Sequence, residues 1–159
     1  MKKIKIATEK LWSRNKYDIM AKGYENYSCI KKMFKNADNS DDYYAIYEKL
    51  VLMRKLPYTK KAIVNTLEHT WGYFKKKASK EEKQLFFQLL EDLKESPLTS
   101  FISMPSQVEK VMTLIVLLAE KYEETYLLNS NFLFPQLLWN EVQLKKEVYL
   151  ITASFYKSI

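Results

Sequence analysis

Residues 63–77 read IVNTLEHTWGYFKKK, and the spacing of their apolar side chains decides the fold class. At about 100° per residue these side chains fall on one broad arc of a helix. An arc of that width is the face that a helix buries against a core. The predicted core face consists of Ile63, Val64, Leu67, Thr70, Trp71 and Phe74.

The opposite side of the same helix carries a polar stripe. It consists of Lys61, Asn65, His69, Gly72 and Lys76. Asn65 and His69 are one turn apart and can point the same way. Glycine lowers helix stability by about 1 kcal/mol, so a compensating interaction is expected at Gly72. Either another helix packs over Gly72, with hydrogen bonds across the contact, or a ligand or nucleic-acid backbone approaches there.

Helical signals recur along the chain and predict about six helices. Ser79 and Glu82 form a capping box, and Pro57 suits a first helical turn. A polar loop is expected at 36–42, a connector at 98–103 and a turn at 129–131. The predicted helices run from Thr8 to about Phe34, from Tyr43 to Met53, from Pro57 to about Lys77, from Ser79 to about Ser96, from Pro105 or Ser106 to Tyr122, and from Gln136 to about Tyr156.

Composition supports a helical protein with one core. The chain has 159 residues, of which 47% are hydrophobic, and it contains only 2 glycines and 4 prolines. Sheet proteins of this size need more turn residues, so we expect an all-α fold, a compact single-domain bundle over residues 1–159. The segment 136–159 is predicted to be an apolar helix that either completes the core or forms an interface.

The positive charge favours polyanionic partners. Lys plus Arg number 26 against 19 for Asp plus Glu, which gives a net charge of +7, and only Arg14 and Arg54 are arginines. Lysines contact the phosphates of a nucleic acid and do not read its bases. Because such contacts release counterions, nucleic-acid binding would be strongly salt-dependent. The alternative is that these lysines form an ordinary solvated surface that binds no nucleic acid. The basic clusters are Lys31, Lys32 and Lys35, and Lys60, Lys61, Lys75, Lys76, Lys77, Lys80 and Lys83.

The inventory of reactive side chains argues against catalysis. His69 is the only histidine and Cys29 the only cysteine, which is too few for a typical zinc site. A Cys–His pair would need these two residues close together, and nothing in the sequence indicates that. Two glycines, Gly23 and Gly72, do not suffice for a phosphate loop or a dinucleotide motif. We therefore expect a non-enzymatic protein without a metal or a cofactor. Cys29 is predicted to be a small buried residue.

Three features of the sequence bear on the cellular location. The most apolar stretch, in 111–122, is too short to span a bilayer, and no apolar run follows the charged N-terminus. The single cysteine fits a reducing compartment. We expect a cytoplasmic protein without a membrane partner.

Several stretches together resemble the YbgA-like domain family. The most specific is Asn65-x-Leu67-x-His69-x-x-Gly72-Tyr73-Phe74-Lys75. The resemblance covers about residues 9–135. The chain departs from the family at Ile63, where many relatives carry a histidine, and at Lys110, where many carry an arginine. The supporting residues are Trp12, Lys16, Tyr17, Met20, Tyr24, Tyr27, Ser79 to Lys83, Lys121, Tyr122 and Tyr126 to Ser130.

Members of that family occur alone or fused behind a desulfidase domain that acts on thiolated uracil. The resemblance implies a helical module that holds RNA on a basic helical face, with thiolated tRNA as the RNA and a desulfidase-like protein as a partner. The residues expected to bind are Lys61, Asn65, His69, Gly72, Tyr73, Lys75 and Lys76, with Tyr58 also available for stacking. The alternative is a protein-interaction module, such as a homodimer, that binds no nucleic acid.

Overall fold

The computed structural model describes residues 1–157, which form eight helices and two small antiparallel sheets. The helices are α1 Lys2–Met20, α2 Tyr24–Asn36, α3 Ser40–Met53, α4 Lys60–Trp71, α5 Lys80–Glu95, α6 Ser106–Lys121, α7 Thr125–Leu128 and α8 Ala153–Lys157. The strands are β1 Tyr58–Thr59, β2 Ser100–Phe101, β3 Glu141–Leu144 and β4 Glu147–Leu150. The prediction of an all-α fold is correct for most of the chain and wrong where the two sheets form. None of the described helices is both long and apolar enough to cross a bilayer.

The first predicted helix is in fact two helices. α1 begins at Lys2, well before the expected cap at Thr8, and α2 begins after Gly23. Gly23 has a φ of 146°, which a residue with a side chain rarely adopts, so the turn between the helices depends on this glycine. Thr8 is buried within α1, where its hydroxyl donates to the Ile4 carbonyl at 2.8 Å.

The helix in the opening stretch is shorter than predicted. Pro57 precedes it, and Tyr58 and Thr59 pair with β2. The Thr59 hydroxyl then caps α4 by accepting from the Ala62 N–H at 3.1 Å. After Trp71 the chain continues in successive turns, so Gly72 lies at the C-terminal cap and not inside the helix.

The middle of the chain agrees closely with the sequence-based expectation. Ser79 Oγ accepts from the Glu82 N–H at 3.1 Å, and Glu82 Oε1 accepts from the Ser79 N–H at 2.8 Å. This confirms the capping box at the start of α5. α5 ends at Glu95, and α6 spans Ser106–Lys121, both as predicted.

The predicted C-terminal helix is wrong. β3 and β4 form a hairpin in which Glu141 lies opposite Leu150 and Leu144 opposite Glu147. The pairing places Val142, Leu144 and Tyr149 against the core. The short α8 follows the hairpin. Ser158 and Ile159, the last residues of the predicted helix, lie outside the described residues.

The core has two hydrophobic clusters, and α1 contributes to both. The first surrounds α4, α5 and α6 and includes Tyr17 and Met20 of α1. The second combines α1, α2, α3, the hairpin and α8, with Ile4 and Leu11 from α1. The C-terminal segment therefore completes a core. The predicted core face is confirmed, because Ile63, Leu67, Thr70, Trp71 and Phe74 are buried and Val64 is partly buried.

A buried polar network stands where α1 meets the end of α3. Lys22 Nζ lies 3.2 Å from the Asp18 carboxylate, and both side chains are 5% exposed. The Tyr58 hydroxyl donates to the same carboxylate. Arg54 donates to Asn15 Oδ1 at 2.8 Å and to Asn131 Oδ1 at 3.0 Å. These bonds join α1, α3 and the segment after α7, and they satisfy charges that would otherwise be costly to bury.

Candidate functional site

A line of aromatic rings lies on α1 and α2 beside the C-terminal end of α4. We call it the aromatic row, and its members in order are His69, Tyr24, Tyr27, Trp12 and Phe34. Neighbouring ring centroids are 6.3, 5.2, 5.7 and 6.3 Å apart. Tyr24 is 48% exposed, His69 is exposed, and the other rings are half-buried. The row therefore presents ring surface to solvent.

Two helices build most of this row. Tyr24 and Tyr27 are three residues apart on α2, so their rings lie on one side of that helix. Tyr27 then meets Trp12 of α1 at an angle of 29° between the ring planes. Trp12, Tyr24 and Tyr27 fall on a rough apolar stripe of the first predicted helix. In the structure their amphipathic rings sit at the border of the core and keep one side in water.

Lysines flank the row. Lys31 Nζ lies 5.4 Å from the Tyr27 ring centroid. Trp12 and Phe34 also line a groove of about 550 Å³ between α1, α2 and the start of α3. Three lysines and one carboxylate, Glu9, line that groove, so its charge is positive. The lysines are Lys5, Lys31 and Lys35.

The polar stripe of α4 is exposed to solvent except at Asn65, which is half-buried. Asn65, His69 and Lys61 line a cleft of about 560 Å³, and its opposite wall is the N-terminus of α2, at Gly23, Tyr24 and Glu25. No side chain caps that helix N-terminus. Tyr24 belongs to both the cleft and the aromatic row, so the two form one surface.

Gly72 has no helix above it. A Cβ placed there would approach only one atom within 4 Å among the described residues, the His69 carbonyl oxygen at 3.1 Å. Gly72 is also exposed. The explanation in which another helix packs over Gly72 is therefore wrong. Lys75 and Lys76, in the turns that follow, are exposed as well.

Two predicted stacking residues are engaged elsewhere. The Tyr58 ring stacks on Phe101 at 6.1 Å, and its hydroxyl belongs to the buried network. Tyr73 turns away from the cleft, stacks on Tyr126 at 6.3 Å, and accepts from the Tyr17 hydroxyl at 3.2 Å. Neither ring is free to stack on a ligand in the cleft.

Tyr17, Tyr73 and Tyr126 form a second aromatic cluster. Lys16 Nζ lies 5.1 Å from the Tyr17 ring centroid and 4.9 Å from that of Tyr126. Burial, followed by the hydrogen bond to Tyr73, raises the pKa of Tyr17 far above its usual value, so this hydroxyl stays protonated. Lys16 follows Trp12 by one helical turn, so this cluster adjoins the aromatic row.

The residues that carry the family resemblance converge on this surface, although they are far apart in the sequence. They come from α1, α2, the end of α4 and α7. Among them, only His69 and Tyr73 were predicted from the sequence to bind, and the others carried the resemblance alone. The convergent residues are Trp12, Lys16, Tyr17, Tyr24, Tyr27, His69, Tyr73 and Tyr126.

The chemistry of this surface suits binding. Exposed rings stack on flat ligands, and lysines attract phosphate groups. Within residues 1–157 no group of three or more His, Cys, Asp or Glu side chains is arranged to hold a metal ion. Cys29 is half-buried at the edge of the second cluster and not fully buried as predicted, because its position on α2 faces a shallow surface depression.

The comparisons with known proteins give one match. A family model described as "Protein of unknown function (DUF1722)" matches residues 16–136. That range is most of the chain and contains the cleft, the second aromatic cluster and the α2 part of the aromatic row. No curated protein and no solved structure matches the chain.

Proposed function

The chain belongs to the DUF1722 family, the YbgA-like proteins of unknown function, and we propose that it binds RNA along the aromatic row and the adjoining cleft. The observation that carries this proposal is the row itself, in which partly exposed rings follow one another at 5.2 to 6.3 Å beside lysines. The protein acts as a binding module without chemistry of its own.

Stacking supplies the first part of the binding energy. A base stacked on an aromatic side chain contributes about 1–3 kcal/mol and is available only where the RNA is unpaired. Tyr24 is the most exposed ring of the row, at 48%. It also stacks on His69, which widens the flat surface to two rings. A loop or a single-stranded end of an RNA is therefore the element that fits.

Phosphate contacts supply the second part. Lys31 and Lys35 lie on one side of the row, in the groove, and Lys61 lies at the cleft on the other. Lysine acts on phosphates as a point charge, so these contacts add affinity without reading the sequence. Asn65 offers a hydrogen-bonding amide in the cleft beside the open N-terminus of α2, where the helix dipole favours an anion.

The family resemblance indicates which class of RNA the protein binds in this proposal. It implies a tRNA that carries thiolated uridine, held in the cytoplasm for a desulfidase-like partner protein. A modified base displayed in an unpaired region of tRNA is compatible with a surface of exposed rings. In this proposal the partner carries out the chemistry, and the present chain holds the substrate.

Fluorescence anisotropy with a labelled tRNA over a salt series tests the proposal. We expect binding at about 50 mM salt that weakens steeply as salt rises, because released counterions drive it. The Lys31→Glu/Lys61→Glu variant should bind more weakly than the control Lys49→Glu/Lys94→Glu, which changes the net charge equally at exposed positions on α3 and α5. Equal weakening in both variants would show that the site is misplaced. No binding at low salt with high-micromolar protein would contradict RNA binding altogether.

One observation favours a protein-interaction module as the second candidate. Val148 and Leu150 on β4 are 62% and 55% exposed, and the outer edge of β4 pairs with no strand within residues 1–157. Free strand edges accept an added strand from a partner or from a second copy of the chain. Light scattering and co-purification test this candidate. A monomer that retains no partner would contradict it.

A further inference from the structure

A separate pocket lies where α1 meets the hairpin and the segment after α7. Its volume is about 390 Å³. The cations Lys10, Arg14 and Lys145 line it, against one carboxylate, Glu141. The remaining polar side chains of the lining are Ser13, Tyr126, Asn129 and Gln143. The pocket is thus polar and carries an excess of positive charge.

Arg14 has an unmet bonding requirement in this pocket. Its Nη1 atom is buried and has no hydrogen-bond partner within residues 1–157. No ion pair joins Arg14 to a carboxylate of the described chain. Native proteins pair more than about 90% of buried polar groups, so an unpaired guanidinium N–H indicates a missing acceptor.

The contrast with Arg54 is informative because the chain has only two arginines. Arg54 donates two hydrogen bonds and lies 4.7 Å from the Trp139 ring centroid. Lysine supplies almost all the other positive charge of the protein. Arginine differs from lysine in its rigid fork of donors, which matches oxyanions. At Arg54 the fork has acceptors inside the fold, and at Arg14 it has none within the part of the chain that the structure describes.

The walls of the pocket are fixed in place. The Arg14 carbonyl accepts from the Asn131 N–H at 2.8 Å, which holds the backbone beneath the side chain. Lys10 Nζ donates to the Gln143 carbonyl at 2.5 Å and ties α1 to β3. The neighbouring Ser130 hydroxyl is also buried and without a partner within residues 1–157. The backbone of Arg14 and the ammonium group of Lys10 are therefore held in place before a ligand binds, which lowers the entropic cost of binding.

We propose that this pocket binds a phosphate group, with Arg14 as the principal donor and Lys10 and Lys145 as the flanking charges. A tetrahedral dianion offers several acceptor oxygens to the guanidinium and balances the charge excess of the pocket better than a single carboxylate. The phosphate source is either a free phosphate or small phosphomonoester, or the phosphorylated end of a nucleic-acid strand.

The two arginines provide the test. An NMR spectrum of the arginine Nε–H groups contains one signal for Arg14 and one for Arg54, and the Arg14→Lys variant assigns them. On titration with inorganic phosphate, at an ionic strength held constant with chloride, the Arg14 signal should shift and saturate while the Arg54 signal stays in place. Calorimetry should show binding that is about tenfold weaker in Arg14→Lys, because the charge remains and the fork is lost. No saturation up to about 20 mM phosphate, or equal shifts of both signals, would overturn the proposal.

A pair of short RNA oligonucleotides distinguishes the two phosphate sources. The oligonucleotides share one sequence and differ only in a 5′-phosphate or a 5′-hydroxyl. Tighter binding of the phosphorylated form, lost in Arg14→Lys, identifies a strand end. Equal binding of the two forms, with the inorganic phosphate shift retained, identifies a small phosphate ligand. The inorganic phosphate result does not depend on RNA binding, so the failure of one proposal is distinguishable from the failure of the other.

Discussion

The imidazole ring of His69 lies against the ring of Tyr24, with the centroids 6.3 Å apart and an angle of 28° between the planes. His69 comes from the last turn of α4, and Tyr24 is the first residue of α2. Their contact makes the polar cleft and the aromatic row one surface. A ligand that stacks on Tyr24 can therefore also reach the polar side chains of α4.

This contact predicts the effect of removing the Tyr24 ring. We expect the Tyr24→Leu variant to lose about 1–3 kcal/mol of RNA-binding free energy, because one stacking surface disappears. Phe87→Leu is the matched control, since Phe87 is 44% exposed on α5 and lies outside the row. Anisotropy titrations at one salt concentration measure both variants. Similar affinity losses in the two would show that the row does not bind RNA.

The buried network predicts a large change in stability. Asp18→Asn removes the charge that compensates Lys22, whose pKa is already lowered, mainly by burial. An unpaired buried charge costs about 3–5 kcal/mol, so the free energy of unfolding in urea should fall by that amount. The double variant Asp18→Asn/Lys22→Met should recover a large part of the loss. A change below about 1 kcal/mol in the single variant would mean that the pair is hydrated in solution.

Gly72 gives a prediction that the sequence could not give. Its backbone has a φ of −52° and a ψ of −28°, which any residue adopts. We expect Gly72→Ala to change the free energy of unfolding by less than about 1 kcal/mol, because the new methyl group meets only the His69 carbonyl. Thermal unfolding measures this. A stability loss above about 2 kcal/mol would indicate that Gly72 is tightly packed. Unchanged stability together with weaker RNA binding would place the RNA backbone at Gly72.

Glu82 predicts how stability depends on pH. Hydrogen bonds from Lys121, Tyr122 and the Ser79 N–H lower its pKa from 4.5 to about 2. A carboxyl whose pKa is lower in the folded state stabilises the fold above its unfolded pKa, and that stabilisation is lost on acidification. Wild type should therefore be more stable than Glu82→Gln at pH 6, and the difference should shrink between about pH 4.5 and pH 2.

Urea unfolding of both proteins at a series of pH values measures this dependence. Glu81→Gln is the matched control, because Glu81 is the exposed neighbour in the same helical turn. A difference between wild type and Glu82→Gln that is constant over the whole pH range would contradict the assignment.

The sequence predicted best where a local signal and the core agreed. α5 has both a capping box and a buried stripe, and its bounds were predicted closely. The core face of α4 was also correct, since Ile63, Leu67 and Trp71 repeat at helical spacing and are buried. Pro57 was misassigned because the pairing of β1 with β2 needs a partner about 40 residues away, and no local pattern shows it.

The C-terminal hairpin escaped prediction for a physical reason. Its turn contains Lys145 at a φ of 56°, a conformation usually taken by glycine or asparagine. Two adjacent lysines, Lys145 and Lys146, are good helix formers, so the local sequence favours a helix. Packing of Val142 and Ile151 against α1 and α3 outweighs this preference in the folded protein.

The site was predicted only in part. The angle of about 100° per residue predicts that Lys61, Asn65 and His69 share one face of a helix. In the structure these three residues line one cleft. Tyr24 comes from another helix, so its contact with His69 required the tertiary structure. Tyrosine counts as apolar in a periodicity argument, so the sequence pattern does not show that the Tyr24 ring is 48% exposed.

The hydroxyls of Thr8 and Tyr156 lie 2.7 Å apart, although 148 positions separate them in the sequence. During synthesis, a nascent chain that has reached residue 139 contains all of α1 but none of β3, β4 or α8. The face of α1 that carries Ile4 and Leu11 then has only part of its cover. Among the described helices, α1 is synthesised first and is among the last to be fully buried, and until then its apolar face is a target for chaperones.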